Sequence, residues 1–506
     1  MSLMRGLPFA LIFRVESTAR AYFPGCISPV LRESPVACFG QIRNAVLMRS
    51  MVATLAVFST LLVSACQQEV RVPPNILLIS IDSLRSDHLG SYGYFRDTSP
   101  NIDQVAAGGA RFVTAIAPAP WTLPSHVTML TGRHPAAHGV SKEDRRLAGE
   151  IPTLAEVLQA RGYATAGFVA GPYLRSDYGY ARGFDLYDES LVEDGKASHS
   201  GTTSPQLIEK VVDWLAGEGD AMAPRPFFAF LHLWDVHYDF SPPPPFDTMF
   251  DPAYEGVADG TEIGLLTPSI AKRDLEHVVA LYDGEIRFTD QALGVLFAKL
   301  REVGLWENTV VVITADHGEE FFEHGKIGHL FHIFDEAIQV PLIVHYPPEI
   351  EAGLVLEEQV RLMDIAPTIL GLIEVESEPF GMPAEAPEQD RDLSPWLRGD
   401  LFAGQLPQLV SFPENYGGGR VGVRMNEGKL IRHNRDYYEL YNVRPEAGEL
   451  EKETGKSPEV IAVLAELIER EAAWNEWREE GEVTAPVMDL PESLQRQLEA
   501  LGYIDR

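Results

Sequence analysis

Cysteine is nearly absent from this chain: its 506 residues carry three, at Cys26, Cys38 and Cys66, and none follows. No disulfide framework can therefore form beyond residue 66. Basic residues are also scarce, 41 Lys and Arg against 74 Asp and Glu for a net charge of −33. That balance disfavours unaided binding to nucleic acid or to an anionic membrane face, and it means that a negative substrate needs a local cation. Internal repeats are missing, and so is the composition of a disordered chain. With 45% hydrophobic and 9% aromatic residues, the chain can bury a large core, which predicts one large domain and a smaller one.

The one signal-like apolar run is near the beginning. From Met48 the chain reads MRSMVATLAVFSTLLVSAC, with a basic Arg49, an apolar stretch from Met51 to Val63, and Val63-Ser64-Ala65-Cys66 at its end. The stretch is short for a transmembrane helix. It resembles a bacterial lipoprotein signal, residues 48–65, whose lipobox makes Cys66 the lipidated mature N-terminus. Residues 1–47 would then lie upstream of the true start at Met48. The expectation is a lipid-anchored protein of the bacterial cell envelope, periplasmic or on the outer surface, tethered to the membrane through 66–74. A chain starting at Cys66 loses six arginines and only two glutamates, so it is more acidic still.

Two later runs are continuously apolar and end on a carboxylate: NILLISID from Asn75 to Asp82 and TVVVITADH from Thr309 to His317. This is the pattern of buried parallel strands, and in an open α/β sheet ligands bind at the carboxyl ends of such strands. Between them, Pro118 to Pro135 reads as a loop entering a short helix closed by Gly132, with Thr122 at the helix start. Helical and strand patterns alternate elsewhere, which argues for a doubly wound sheet. Helices are expected at Ile102–Gly108 after an Asn101 cap, Thr153–Arg161, Ser204–Ala216 and about Leu275–Val303. Strands are expected at Tyr163–Ala170, Pro226–Leu233 and Val340–His345. Glu374 to Ser394 is rich in Glu and Pro and reads as a connection. Beyond it, Gln408–Phe412, Gly419–Met425, Lys429–His433 and Tyr437–Tyr441 look like antiparallel strands, followed by a helix over Pro458–Glu480.

Asp82, Asp316 and His317 offer hard oxygens and an imidazole, a set suited to a divalent cation, Zn²⁺ or Mn²⁺ before Ca²⁺. A hydroxyl beside such a cation becomes a nucleophile near neutral pH. Thr122 has the place for it, because a helix N-terminus directs free N–H groups at an anion. Taken alone, the same threonine reads more readily as a helix cap.

The surrounding motifs weigh on that choice. IDSLRSDHLGSYGY (Ile81–Tyr94), TSPNID (Thr98–Asp103), TLPSHVTMLTGRHP (Thr122–Pro135), DVH (Asp235–His237), ADHGEEFFEHG (Ala315–Gly325) and DEAIQVPLI (Asp335–Ile343) together resemble the sulfatase branch of the alkaline phosphatase superfamily, from Asn75 to Arg506. The resemblance implies an α/β fold: a central, mostly parallel sheet flanked by helices as a catalytic domain over 75–375, with a smaller α+β subdomain on an antiparallel sheet over 376–506. It implies that Asp82, Asp316 and His317 hold a cation that also contacts Thr122, and that Thr122 attacks a tetrahedral ester in line.

The departures from the family pattern bear on substrate. Formylglycine sulfatases carry Cys or Ser followed by x-Pro-x-Arg, where this chain reads Thr122-Leu123-Pro124-Ser125-His126, so no formylglycine can form. Ser83 stands where many sulfatases have a second aspartate, and the element GKWHLG is missing. A sulfated threonine lacks the exit that the aldehyde hydrate provides, whereas a phosphothreonine can be hydrolysed. His237 corresponds to a substrate-contacting histidine and His329 to an anion-binding lysine; both are candidate catalytic residues, with Asp235 and His324 as candidate contacts to substrate or to a second cation. Three classes of activity stand: phosphoester hydrolysis, sulfate-ester hydrolysis without formylglycine, and phosphoryl transfer. The substrate is a small-molecule, glycan or lipid ester.

Overall fold

The computed structural model describes residues 72–192, 202–218, 225–375, 391–401, 410–426, 428–433 and 437–443, with parts of 461–470 and 485–488 and positions 492 and 496. The signal-like segment and Cys66 lie outside these residues, as do most of the Glu374–Ser394 connection and of the helix expected over Pro458–Glu480.

The strands are, in chain order, β1 (Asn75–Ile81), β2 (Ala110–Ile116), β3 (Ala164–Val169), β4 (Leu186–Asp188), β5 (Phe227–Leu233), β6 (Thr309–Thr314), the small pair β7 (Glu320–Phe321) and β8 (Ile327–Gly328), β9 (Gln339–His345), β10 (Leu354–Leu356) and β11 (Val360–Arg361). The large sheet runs β10-β2-β9-β6-β1-β5-β3-β4, with β11 also on β2. Its centre is parallel: β1 lies between β5 and β6, and every residue of the three is buried. A strand covered on both faces has no use for alternation, which is why these segments read as unbroken apolar runs. Strand β9 is the exception, antiparallel to both β6 and β2. Helices α1 (Pro100–Ala107), α2 (Thr122–Thr131), α3 (Leu154–Ala160), α4 (Ser204–Glu218) and α5 (Lys272–Glu302) fill the connections, giving the mostly parallel, helix-flanked sheet that the resemblance implies.

Strand β2 carries no clear pattern in the sequence. Its burial alternates only in part, and a register irregularity between Phe112 and Ala115 breaks the period. The cap of α1 is also corrected: Ser99 precedes the helix, and Pro100 opens it. Asn101 sits within the first turn, where its amide donates to the Asp290 carboxylate on α5 at 2.8 Å.

Strands β12 (Arg420–Met425), β13 (Gly428–His433) and β14 (Tyr437–Asn442) form a separate antiparallel sheet. Of the strand expected at Gln408–Phe412, the described part forms an isolated bridge from Ser411 to Arg424. The small sheet is tied to the segment leading into β9 through Asp335, which accepts from Arg424 and Lys429, each at 2.6 Å. Both cations are buried, and they hold the Asp335 carboxyl well below the usual carboxylate range against the opposing effect of its own burial. Because the folded pKa is depressed, the stabilisation is complete above about pH 4 and is lost progressively as the pH falls from there towards the depressed folded value. Asp335→Ala strands two buried cations and is expected to destabilise the fold by about 3–5 kcal/mol at pH 7. The difference from wild type should shrink in urea melts below pH 4, and an unchanged gap at pH 3 would contradict this assignment.

Candidate active site

The register of the central strands brings the site together. Ser80 on β1 is level with His232 on β5 and Thr314 on β6, so the residues just beyond, Asp82 and Asp316, emerge side by side at the carboxyl edge. The turn after β1 is strained: Ser83 has φ 55°, an uncommon conformation for a residue with a side chain. In that conformation Ser83 Oγ donates to Asp82 Oδ1 at 2.9 Å, and its carbonyl accepts from the Tyr282 hydroxyl at 2.8 Å. Asp316 Oδ1 accepts from the amides of His317 and Ser83 at 3.0 and 3.3 Å. Its Oδ2 is buried with no hydrogen-bond partner.

Thr122 is the first residue of α2. Trp121 before it is extended at φ −166°, and Gly132, left-handed at φ 62°, ends the helix. The Thr122 hydroxyl lies 3.5 Å from Asp82 Oδ2 and 3.4 Å from His317 Nε2, long for hydrogen bonds. His317 Nδ1 is 2.9 Å from the Gly318 carbonyl; a carbonyl only accepts, so Nδ1 carries the proton and Nε2 presents a lone pair. That Nε2 is 3.6 Å from Asp82 Oδ1 and 3.4 Å from Asp316 Oδ2. Asp82, Asp316 and His317 thus offer ligand atoms within 4.8 Å of one another. Two wholly buried carboxylates, one oxygen unpartnered, and an imidazole lone pair among them are unfavourable alone and fit a divalent cation.

Two more of the expected residues border this cluster. The His329 ring centroid is 4.3 Å from that of His317 and 5.1 Å from that of His237. His329 Nδ1 contacts Glu319 Oε1 at 3.2 Å, and burial pushes this imidazole well below its ordinary pKa. His237 stacks on Trp234 with centroids 3.9 Å apart, and its Nδ1–H donates to the Tyr238 carbonyl at 2.6 Å. Burial lowers it to about 4, so the resting imidazole is neutral.

Asp235 and His324 are placed otherwise. Asp235 Oδ1 accepts from the Thr203 amide and hydroxyl at 2.6 and 2.7 Å, and Oδ2 from the Ser204 amide at 2.7 Å. Its carboxylate serves the N-terminus of α4, whose amides have no helical partner. His324 stacks on Phe334 with centroids 3.5 Å apart and lies 3.5 Å from Glu336. Neither belongs to a metal-competent group among the described residues. The structure adds two residues for which the sequence analysis has no role, His126 and His232. The available signals are the spacing of His126 four residues after Thr122, one helical turn, and a histidine near the end of the otherwise apolar run PFFAFLHL.

Residues 74–375 match the model of the Sulfatase family, and residues 323–475 match that of the N-sulphoglucosamine sulphohydrolase C-terminal region. The chain is 27% identical over 378 residues to an ulvan-active sulfatase of Formosa agariphila, covering 68% of this chain and 71% of that one. It is 29% identical over 408 residues to human arylsulfatase A, covering 70% of this chain and 73% of the relative. Among solved structures, one in complex with its substrate D-glucosamine-2-N,6-O-disulfate is similar at TM-score 0.66 and 20% identity, over 80% of this chain and 99% of that one. The phosphonate monoester hydrolase of Agrobacterium radiobacter is similar at TM-score 0.64 and 20% identity, over 83% and 100%.

Proposed function

Because the chain belongs to the sulfatase family of ester hydrolases, we propose that it cleaves a phosphorus ester, with Thr122 as nucleophile in place of formylglycine. The observation that carries this reading is the Thr122 hydroxyl at the start of α2, within 3.5 Å of both Asp82 and His317. Asp82, Asp316 and His317 would hold a divalent cation, Zn²⁺ or Mn²⁺ before Ca²⁺, which supplies Lewis-acid neutralisation of developing negative charge. Thr122 Oγ1 attacks phosphorus in line as the bond to the leaving oxygen breaks, and the proton that the hydroxyl gives up ends on that leaving oxygen. Water then attacks the phosphothreonine, restores the Thr122 hydroxyl and releases the phosphoryl product. His237, neutral at rest, is the candidate to shuttle a proton to the leaving oxygen, and His329 lines the same space.

A sulfate ester is the competing reading, favoured by the names of the relatives. It differs at the second step: threonine cannot form the aldehyde hydrate that expels sulfate. The two are separated by assaying aryl phosphate, bis-aryl phosphate, aryl phosphonate and aryl sulfate with added Zn²⁺, Mn²⁺ or Ca²⁺. The expected result is turnover of a phosphorus ester at least about tenfold above that of the sulfate, a difference of about 1.4 kcal/mol in barrier. Turnover of the sulfate alone would overturn the proposal.

We propose also that the mature protein is lipid-anchored through Cys66, on the support of the Val63-Ser64-Ala65-Cys66 sequence that closes the apolar run. Cys66→Ala is expected to abolish metabolic labelling with a fatty acid and to leave the precursor uncleaved. Labelling that persists in that variant would refute the anchor.

A further inference from the structure

Two histidines beside the metal-competent trio have no part in the reaction proposed above. His126 and His232 are wholly buried, with ring centroids 4.9 Å apart and planes nearly perpendicular. Together with Asp316 they form a second trio whose ligand atoms lie within 4.8 Å of one another. This trio has two conceivable uses, a second cation site or a brace for the first, and the hydrogen bonds decide between them.

His126 Nδ1 is 2.9 Å from the Thr122 carbonyl oxygen, and its Nε2 is 2.9 Å from the Ser80 hydroxyl. The carbonyl only accepts, so Nδ1 carries the proton and Nε2 accepts from Ser80. Neither nitrogen has a lone pair to give a cation. His232 Nε2 lies 3.1 Å from Asp82 Oδ2. A carboxylate only accepts, so the proton is on Nε2 and the lone pair on Nδ1, an atom that is buried with no hydrogen-bond partner. The nitrogen that His232 turns to the centre is therefore a donor. Asp82 is held from both sides, Oδ1 by Ser83 Oγ at 2.9 Å and Oδ2 by His232.

The fold makes room for this arrangement. A Cβ at Gly171 would stand 2.6 Å from His232 Cε1 and 2.9 Å from the Trp234 ring, closer than packed atoms approach. Gly171, two residues past β3, must lack a side chain for the imidazole to reach Asp82.

We infer that His232 is a positioning residue of the metal centre, donating its Nε2–H to Asp82 so that this carboxylate is fixed for cation binding, and that the His126–His232 pair is not a second cation site. The inference rests on the reading of Asp82, Asp316 and His317 as the ligand set. An outer hydrogen bond to a metal ligand typically contributes 10–100-fold in affinity.

The test is Mn²⁺ affinity and stoichiometry by equilibrium dialysis of the purified full chain, with the melting temperature of the metal-free protein recorded alongside. The variants are His232→Gln, His232→Phe, Gly171→Ala, Asp82→Asn and Asp316→Ala. Wild type is expected to bind one ion per chain. His232→Phe fills the space without a donor and should weaken binding about 10–100-fold. His232→Gln, whose amide reproduces the Nε2 donor, should recover most of that loss at a similar metal-free melting temperature. If the phenylalanine variant fails to fold, Gly171→Ala displaces the ring while keeping the imidazole and should weaken binding in the same direction. Wild-type affinity in His232→Phe or in Gly171→Ala, equal losses in the Gln and Phe variants, or two ions in wild type with one lost on changing His232 would each overturn the inference. Affinity that depends on Asp82 and Asp316 but not on His232 sinks this inference alone, whereas affinity independent of all three sinks the ligand assignment and the inference with it.

Discussion

Thr122→Ala should lower kcat/KM for the preferred ester by about 10⁴-fold or more, the scale seen when a catalytic nucleophile is removed, while leaving the fold intact. The two halves of this expectation have separate grounds. The hydroxyl makes no cap hydrogen bond, since the residue before the helix is Trp121 and no side-chain cap is formed there. Its neighbours, Asp82 Oδ2 and His317 Nε2, stand 3.4–3.5 Å away, so little native hydrogen bonding is lost. Alanine is a better helix former than threonine, and the change in stability should stay within about 1 kcal/mol. A merely structural threonine would show the opposite pattern, with stability reduced and activity largely kept. Steady-state kinetics with a thermal melt decides it. Mass spectrometry of acid-quenched wild type should find a phosphoryl group on the peptide that contains Thr122. An alanine variant that keeps a tenth of wild-type activity would remove Thr122 from the mechanism.

The second large effect concerns Asp316, and its sign depends on metal. Asp316 Oδ2 is buried without a hydrogen-bond partner, in a cluster that also buries the Asp82 carboxylate. In the metal-free protein this is unfavourable desolvation and like-charge repulsion. Asp316→Asn removes one charge and can keep Oδ1 as acceptor for the amides of His317 and Ser83. The metal-free variant should therefore melt at or above metal-free wild type. With a divalent ion at 100 times its dissociation constant, wild type gains about 2.7 kcal/mol, and the variant should gain almost none. The order of stability should thus reverse on adding metal, with activity falling by about 10³-fold or more as the ligand is lost. Melting curves with and without Zn²⁺ or Mn²⁺ test it; a variant that responds to metal as wild type does would exclude Asp316 as a ligand.

The candidate site was legible in the sequence to the extent that its residues follow the strands directly. Asp82 comes one residue after β1 and Asp316 two after β6, so a reader who finds the buried strands finds the carboxylates. Asp235 follows β5 just as closely, yet its carboxylate goes to the amides of Thr203 and Ser204. No local pattern encodes that choice, because the helix end that competes for Asp235 arrives from thirty or so residues earlier and becomes a neighbour only through the fold. His232 shows the converse. A histidine inside a run of phenylalanines and leucines carries no period of its own, and its partner Asp82 is 150 positions away in the chain.

What the sequence by itself determined is the parallel core of unbroken apolar strands, the carboxylates at their ends, and a threonine, rather than a cysteine or serine, at a helix start. These follow from residue type and short spacing, which local sterics and burial translate directly into structure. Tertiary structure alone decided which polar groups meet: that Ser80, His232 and Thr314 share one level of the sheet, that Ser83 takes a left-handed turn between two carboxylates, and that Asp235 turns away. The reason is that a buried polar atom must find its partner in three dimensions, and the register between distant strands, which no single segment contains, sets which partner is within reach.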